Sequence, residues 1–160
     1  MMSEFTLQLA VQNLLARYVE AIDEDHLETW PAFFSDPCCY RVVSVDNHER
    51  GLPIALIHAD SRGMLEDRVA ALRKASVYED QRYRHVLGCS LVKRIDARTV
   101  SAATSFLVVR VVRAGESSLF ASGRYLDRIR YGTDCGDPSF EEKLVVLDSR
   151  RVDTLLAIPI

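Results

Sequence analysis

A chain of 160 residues, 48% of them hydrophobic, is long enough for one domain with a real core and too short for two comfortable ones. Its formal charge of -3, with a pI near 5.8, leaves no basic footprint for nucleic acid or for an anionic lipid surface. The opening MMSEFTLQLAVQNLLARY carries no basic leader, and Glu4, Gln8, Gln12 and Asn13 interrupt its apolar residues, so neither a signal peptide nor a membrane span is expected. Of the cysteines, Cys38 and Cys39 are adjacent while Cys89 and Cys135 stand alone. That spacing makes neither a disulfide framework nor a zinc motif, and it suits a reducing, cytoplasmic compartment.

In chain order, Leu7, Val11, Leu14, Leu15, Tyr18 and Ile22 fall on one helical face and Gln8, Gln12, Asn13, Arg17, Glu20 and Asp23 on the other. With Ser3 as N-cap, this predicts a helix over 4–25. A short second helix carries Leu27, Trp30, Phe33 and Phe34; Pro31, which lacks a backbone donor, breaks it or sits in its first turn. Asp36-Pro37 turns the chain into a strand over 39–45, and a polar stretch, 46–51, links it to another over 53–59. Asp60 or Ser61 caps a third helix in which Met64, Leu65, Val69 and Leu72 share a face. A charged, aromatic connection over 78–83 leads into a strand over 84–93, with Gly88 as its weak point or bulge.

The ribbon from 100 to 131 dominates the second half of the chain. Phe106, Leu107, Val108, Val109, Val111 and Val112 form a run suited to a strand covered on both faces. The cluster 113–117 makes the turn. Beyond it the pattern alternates, with Leu119, Ala121, Gly123, Tyr125, Ile129 and Tyr131 on one face and Ser122, Arg124, Arg128 and Arg130 on the other. A loop over 132–139, a strand over 140–148 and an apolar extended end over 152–160 complete the chain. Helices first, then five to seven mostly antiparallel strands, is an α+β layout in a single domain over 1–160. The simplest packing is a cone: a strongly curved, mostly antiparallel sheet of about six strands wrapped on three helices from the N-terminal half. This arrangement resembles the nuclear-transport-factor-like fold, which also serves steroid isomerases and scytalone dehydratase, and which hosts enzymes, binding modules and structural subunits alike.

A cavity between the first helices and such a sheet would make Tyr18, Asp23, Asp36 and His85 the candidates for chemistry. The tyrosine would be an oxyanion donor, and a carboxylate or the histidine a general base. Each has a plainer role. Tyr18 reads as a core aromatic with its hydroxyl bonded locally, Asp23 as solvated, Asp36 as a turn residue, and His85 as a structural histidine tied to a backbone carbonyl. No cysteine stands near a histidine at Rieske spacing, and His26, His48, His58 and His85 are spread over unrelated elements with no i, i+4 pair. There is no glycine-rich phosphate loop and no nucleophile elbow.

The segments LVVRVVRAGESSLFASGRYLDRI (107–129) and KLVVLDSRRVDTLLAIPI (143–160) resemble the small (β) subunit of aromatic-ring-hydroxylating, Rieske-type dioxygenases. WPAFFSDPCCYRV (30–42), the 46–69 stretch and YRHVLG (83–88) continue the resemblance in order, so that it covers nearly the whole chain. It is closest to the subset acting on one-ring aromatic acids, terephthalate dioxygenase and salicylate hydroxylase. Gly88-Cys89-Ser90 departs from the Ser-Asn that many relatives carry there.

The resemblance implies a non-catalytic structural subunit of the terminal oxygenase in aromatic-compound catabolism, part of an oxidoreductase whose catalytic centres lie on another chain. It implies no cofactor and no metal on this chain. The large (α) subunit would hold the Rieske iron–sulfur cluster, the mononuclear iron and the substrate pocket, with electrons from a reductase and three α and three β chains in the complex. Interface candidates on this chain are Arg124, Arg128, Arg130, Arg150, Arg151 and Asp153, together with the apolar Leu155, Leu156, Ile158 and Ile160. The alternative is a stand-alone pocket enzyme of the same fold (isomerase, dehydratase or hydrolase, with Tyr18, Asp36 and His85 as its residues) or a small-ligand binding module.

Overall fold

A computed structural model describes residues 3–75, 81–131, 137–150, 156 and 158–160. Helix α1 (Glu4–Asp23) begins where the Ser3 hydroxyl accepts the Thr6 N–H, and its buried residues, among them Leu7, Val11, Leu14, Tyr18 and Ile22, recur every three or four positions. The chain then reverses through Asp25, which takes a left-handed φ of 59°, into a 3-10 helix, Leu27–Phe33, that contains Pro31. Strand β1 (Phe34–Ser44), a short helix α2 (Val45–Glu49) and strand β2 (Ile57–Ala59) follow. Helix α3 (Arg62–Lys74) starts at Ser61, whose hydroxyl accepts the Met64 N–H. Its Arg73 binds Asp25 and Glu28 together at 2.6–3.0 Å, fastening its last turn to the reversal after α1. The same guanidinium holds the Glu28 carboxyl down to about 2.

The strands form one curved sheet in the order β2–β1–β7–β6–β5–β3, with β3 (Gln81–Leu87) and β4 (Leu91–Arg94) both pairing with β5 (Thr99–Val112). Strand β6 (Ser117–Arg130) joins β5 through a hairpin whose Gly115 sits at φ 90°, and β7 (Ser139–Leu147) comes after it. All pairings are antiparallel except β1 with β7. The expected α+β cone is therefore present with seven strands. Its helices line the inner face, where Tyr18, Trp30, Phe34, Tyr40, Tyr125 and Phe140 meet mostly edge to face around one continuous core.

Several expectations change. The strand read over 84–93 is two, because the chain leaves the ladder at 88–90, where the Gly88 N–H bonds Ser105 and the Ser90 hydroxyl bonds that of Thr104. Strand β1 begins five residues early, at Phe34, with an irregularity before Cys39. The strand over 53–59 shrinks to three residues, and the polar link contains α2. Strand β5 is not covered on both faces: the helices pack on one side of the sheet only, leaving Leu107 45% exposed. Leu119 points outward at 63% exposure, because a bulge admits Phe120 between the Val108–Ala121 and Val109–Leu119 pairs and shifts the alternation by one. Met64 is likewise exposed. The segments 78–80, 132–136, 151–155 and 157 lie outside the described residues.

At Gly123 the β6 and β7 backbones come so close that a Cβ would stand 2.1 Å from the Val146 carbonyl oxygen and 3.2 Å from the Leu147 Cα. Only glycine fits, and the obstacle is backbone that cannot rotate away. Gly123→Ala should therefore cost about 1–3 kcal/mol or more, read as a lowered urea midpoint. An unchanged midpoint would contradict the close approach.

Candidate functional site

Two buried polar constellations stand inside the cone. The first joins the end of α1 to β3. Asp23 Oδ1 lies 2.6 Å from His85 Nδ1, and Asp23 Oδ2 accepts the His85 backbone N–H at 2.8 Å. Their side chains are only 3% and 1% exposed. The solvated Asp23 expected from the helical wheel is thus wrong. The wheel's polar face continues to the last turn of α1, but that turn runs under β3, and Arg84 closes over it by pairing with Glu24 at 3.0 Å. His85 is tied to a carboxylate, not to a carbonyl. Its Nε2 is buried without a partner among the described residues, in the arrangement of a general base with its orienting acid.

The space at His85 beside the tail is small. His85, Tyr83, Val108, Phe120, Leu156 and Ile160 border about 10 Å³, room for one water and none for an aromatic ring. A larger groove of about 720 Å³, whose lining includes Asp23 and His85 themselves, lies between α1 and the Arg84–Leu87 edge, open to solvent and bridged by Arg17–Asp137 at 3.2 Å. The other candidates do not join His85. The Tyr18 hydroxyl donates to the Ile160 main-chain oxygen at 2.9 Å, a partner 142 positions away and not the local bond expected. Burial, reinforced by Tyr40 and Tyr125, holds that phenol protonated well above its usual range. Asp36 is exposed at a cis bond to Pro37, in the irregular start of β1.

The tail is part of this interior. The Tyr40 hydroxyl donates to Ile160 O and accepts the Ile160 N–H, while Arg68 donates to Leu156 O at 2.7 Å. Leu156 and Ile160 are buried, and Ile158 packs on the same core. Arg151, Asp153 and Leu155 lie outside the described residues. Arg150 pairs within the chain, with Asp46 at 3.2 Å. Arg128 and Arg130 share the Glu141 carboxylate on the outer sheet face, whereas Arg124 on that face has no ion-pair partner among the described residues.

The second constellation lies outside the candidates that the sequence offers. Lys143 on β7 stands directly opposite Asp127 on β6, both side chains fully buried, with Nζ 3.2 Å from each carboxylate oxygen. The ammonium sits 3.6 Å from the Tyr125 ring centre and 4.5 Å from those of Tyr18 and Phe140. A signal existed. Asp127 falls in register with Gly123, Tyr125 and Ile129 on the apolar face of β6, where a lone carboxylate needs a buried partner. Burial raises the Asp127 carboxyl and lowers the Lys143 ammonium, each against the pull of its partner.

For metal binding, the described residues bring one cysteine and one histidine together, Cys39 and His58, with Asp60. A Rieske cluster needs two cysteines and two histidines, so this group does not fit one. Sequence spacing could not reveal it, because the contact crosses from β1 to β2.

Removing Lys143 would leave Asp127 buried and uncompensated, a loss of about 3–5 kcal/mol. In Lys143→Met the folded-state pKa of Asp127 stays above its unfolded value. Stability is then retained at low pH, where the carboxyl is neutral in both states, and lost as pH rises through the raised value. Urea unfolding should show a larger deficit at about pH 8 than at about pH 5. A deficit that does not depend on pH would contradict an ionised, buried pair.

The family model for the ring hydroxylating beta subunit matches residues 17–154. The chain is 45% identical over 154 residues to the terephthalate 1,2-dioxygenase terminal oxygenase component subunit beta 1 of a Comamonas species, covering 96% of this chain and 97% of that one. It is 37% identical over 151 residues to the anthranilate 1,2-dioxygenase small subunit of Burkholderia cepacia, covering 94% and 92%. Among solved structures, a beta subunit from Novosphingobium aromaticivorans, provisionally assigned to an aromatic-ring-hydroxylating dioxygenase, superposes with a TM-score of 0.87 at 36% identity over 97% of each chain. With matches that run nearly end to end and a cone shared with a solved beta subunit, this chain belongs to the ring-hydroxylating dioxygenase beta-subunit family.

Proposed function

We propose that this chain is the structural, non-catalytic subunit of the terminal oxygenase component of a dioxygenase acting on a one-ring aromatic acid, terephthalate-like or salicylate-like. The observation that carries this is the near-full-length identity to beta and small subunits whose names specify terephthalate and anthranilate, both one-ring aromatic acids. In this reading the large subunit holds the Rieske cluster, the mononuclear iron and the substrate pocket. A reductase feeds electrons to it, and three chains of each kind assemble in the cytoplasm. Free Cys38, Cys39 and Cys89 suit that compartment, and among the described residues no helix is long and apolar enough to cross a membrane.

The outer sheet face is the surface we assign to neighbouring subunits. Val86, Leu91 and Leu107 are 52%, 71% and 45% exposed there, beside Arg124, Arg128 and Arg130. Apolar side chains flanked by arginines have the composition of an interface core with its rim. The tail residues Leu156, Ile158 and Ile160 instead serve their own chain's core, and act on assembly by holding the cone in shape.

The Asp23–His85 pair with its free Nε2 favours a second reading, a stand-alone pocket enzyme. The chamber of about 10 Å³ beside the tail is too small for a substrate, the groove of about 720 Å³ that the pair also lines is open to solvent, and the near-full-length match to beta and small subunits weighs against this reading. The test is turnover by the co-expressed complex carrying His85→Gln or Tyr18→Phe. Assembled, fully metallated complexes should keep kcat within about tenfold of the parent, a change of no more than about 1.4 kcal/mol. A loss of several orders of magnitude in an intact, iron-replete complex would transfer catalysis to this chain.

A further inference from the structure

In the β1–β2 pair, Tyr40 stands opposite Ala59 on the buried face and Arg41 opposite His58 on the outer one. The antiparallel register therefore sets Cys39 opposite Asp60, and the two-residue period puts Cys39, His58 and Asp60 on one face. The Cys39 sulfur, a His58 ring nitrogen and an Asp60 carboxylate oxygen lie within 4.8 Å of one another. His58 Nε2 is already 2.7 Å from Asp60 Oδ1. The backbone beneath is held, since Met64 Sδ takes the Asp60 N–H and Ser61 caps α3. His58 and Asp60 are exposed and Cys39 is half-buried, so none of the three polar groups is committed to the core.

We propose that Cys39, His58 and Asp60 form a binding site for a borderline divalent cation, zinc(II) above all, that fastens the edge strand β2 to β1. One sulfur, one imidazole nitrogen and one carboxylate oxygen are a zinc-type set, whereas magnesium and calcium require oxygens throughout. Tetrahedral bonds of about 2.0–2.3 Å place ligand atoms about 3.3–3.7 Å apart. The present spacing reaches that by opening the His58–Asp60 contact and closing on the sulfur, which exposed side chains do by rotation. Three protein ligands leave the fourth position to water. Burial pushes the Cys39 thiol up; Arg41 opposes this, and the Glu142 and Asp60 carboxylates add to it, so the sulfur carries a proton that the cation would displace. Arg41 is itself neutralised by Glu142 at 2.8 Å. A cysteine nucleophile activated by His58 fits less well, because burial makes the thiol less acidic.

The site lies on this chain alone, so its fate is separate from that of the subunit reading. The test is titration of the reduced, metal-stripped full chain with cobalt(II), which reports thiolate ligation by a charge-transfer band in the near ultraviolet. One cobalt per chain should bind, and zinc(II) should abolish the band. Cys39→Ser should remove it, while His58→Ala and Asp60→Asn, exposed positions that leave the fold intact by circular dichroism, should each weaken binding at least about tenfold. Cys89→Ser should retain the band. No thiolate band, a band that survives Cys39→Ser, or affinity unchanged in both His58→Ala and Asp60→Asn would overturn the site.

Discussion

An ammonium and a carboxylate fully withdrawn from water, Lys143 and Asp127, sit where α1, β6 and β7 meet, and the interior is arranged around their needs. Neither charge is tolerable alone in that position, and their mutual attraction offsets desolvation only if geometry and surroundings are favourable. The surroundings are three aromatic faces turned toward the ammonium. Tyr18 therefore has two tasks: its ring belongs to this cage and its hydroxyl holds the main chain at Ile160. Tyr40 grips the same residue through both its N–H and its oxygen. The pair, the cage and the tail thus form one connected interior, and a change at any of them reaches the others.

That interior bears on function. The inside of this cone is filled by large aromatic side chains, an ion pair and its own tail, leaving between His85 and the tail a space about the size of a water. The Asp23–His85 pair has the geometry of a catalytic dyad; the chamber beside the tail has no room for a ring substrate, and the larger groove that the pair also lines is open to solvent. Asp23 also ties the end of α1 to both the side chain and the backbone of His85 in β3. Part of the apolar surface that the chain leaves uncovered, Val86, Leu91 and Leu107, is on the opposite side of the sheet. A filled inside and a sticky outside are the properties of a scaffold subunit.

Helices α1 and α3 and the long hairpin were legible because their patterns are local: Ser3 and Ser61 as caps, the apolar stripe of α1, and the glycine-bearing turn after β5. The strand break at 88–90 and the bulge that turned Leu119 outward were not, since each depends on how a neighbouring strand pairs. The burial of Asp23 was hidden because a helical wheel shows which face is polar but not what lies over it. Asp127 was visible as an exception on an apolar face, yet its partner could be found only through the β6–β7 register. The cluster of Cys39, His58 and Asp60 is invisible to spacing rules for the same reason. Membership of the family was legible throughout, because it rests on residues along nearly the whole chain.

The central claim is that this chain supports an oxygenase assembled around another subunit. Sedimentation of the two co-expressed chains, combined with iron analysis of the separated subunits, tests it most directly. The account predicts a complex of three large and three small chains, with all iron and all visible absorbance on the large one. A stable monomer of this chain, retaining stoichiometric iron or oxidising an aromatic acid by itself, would contradict it.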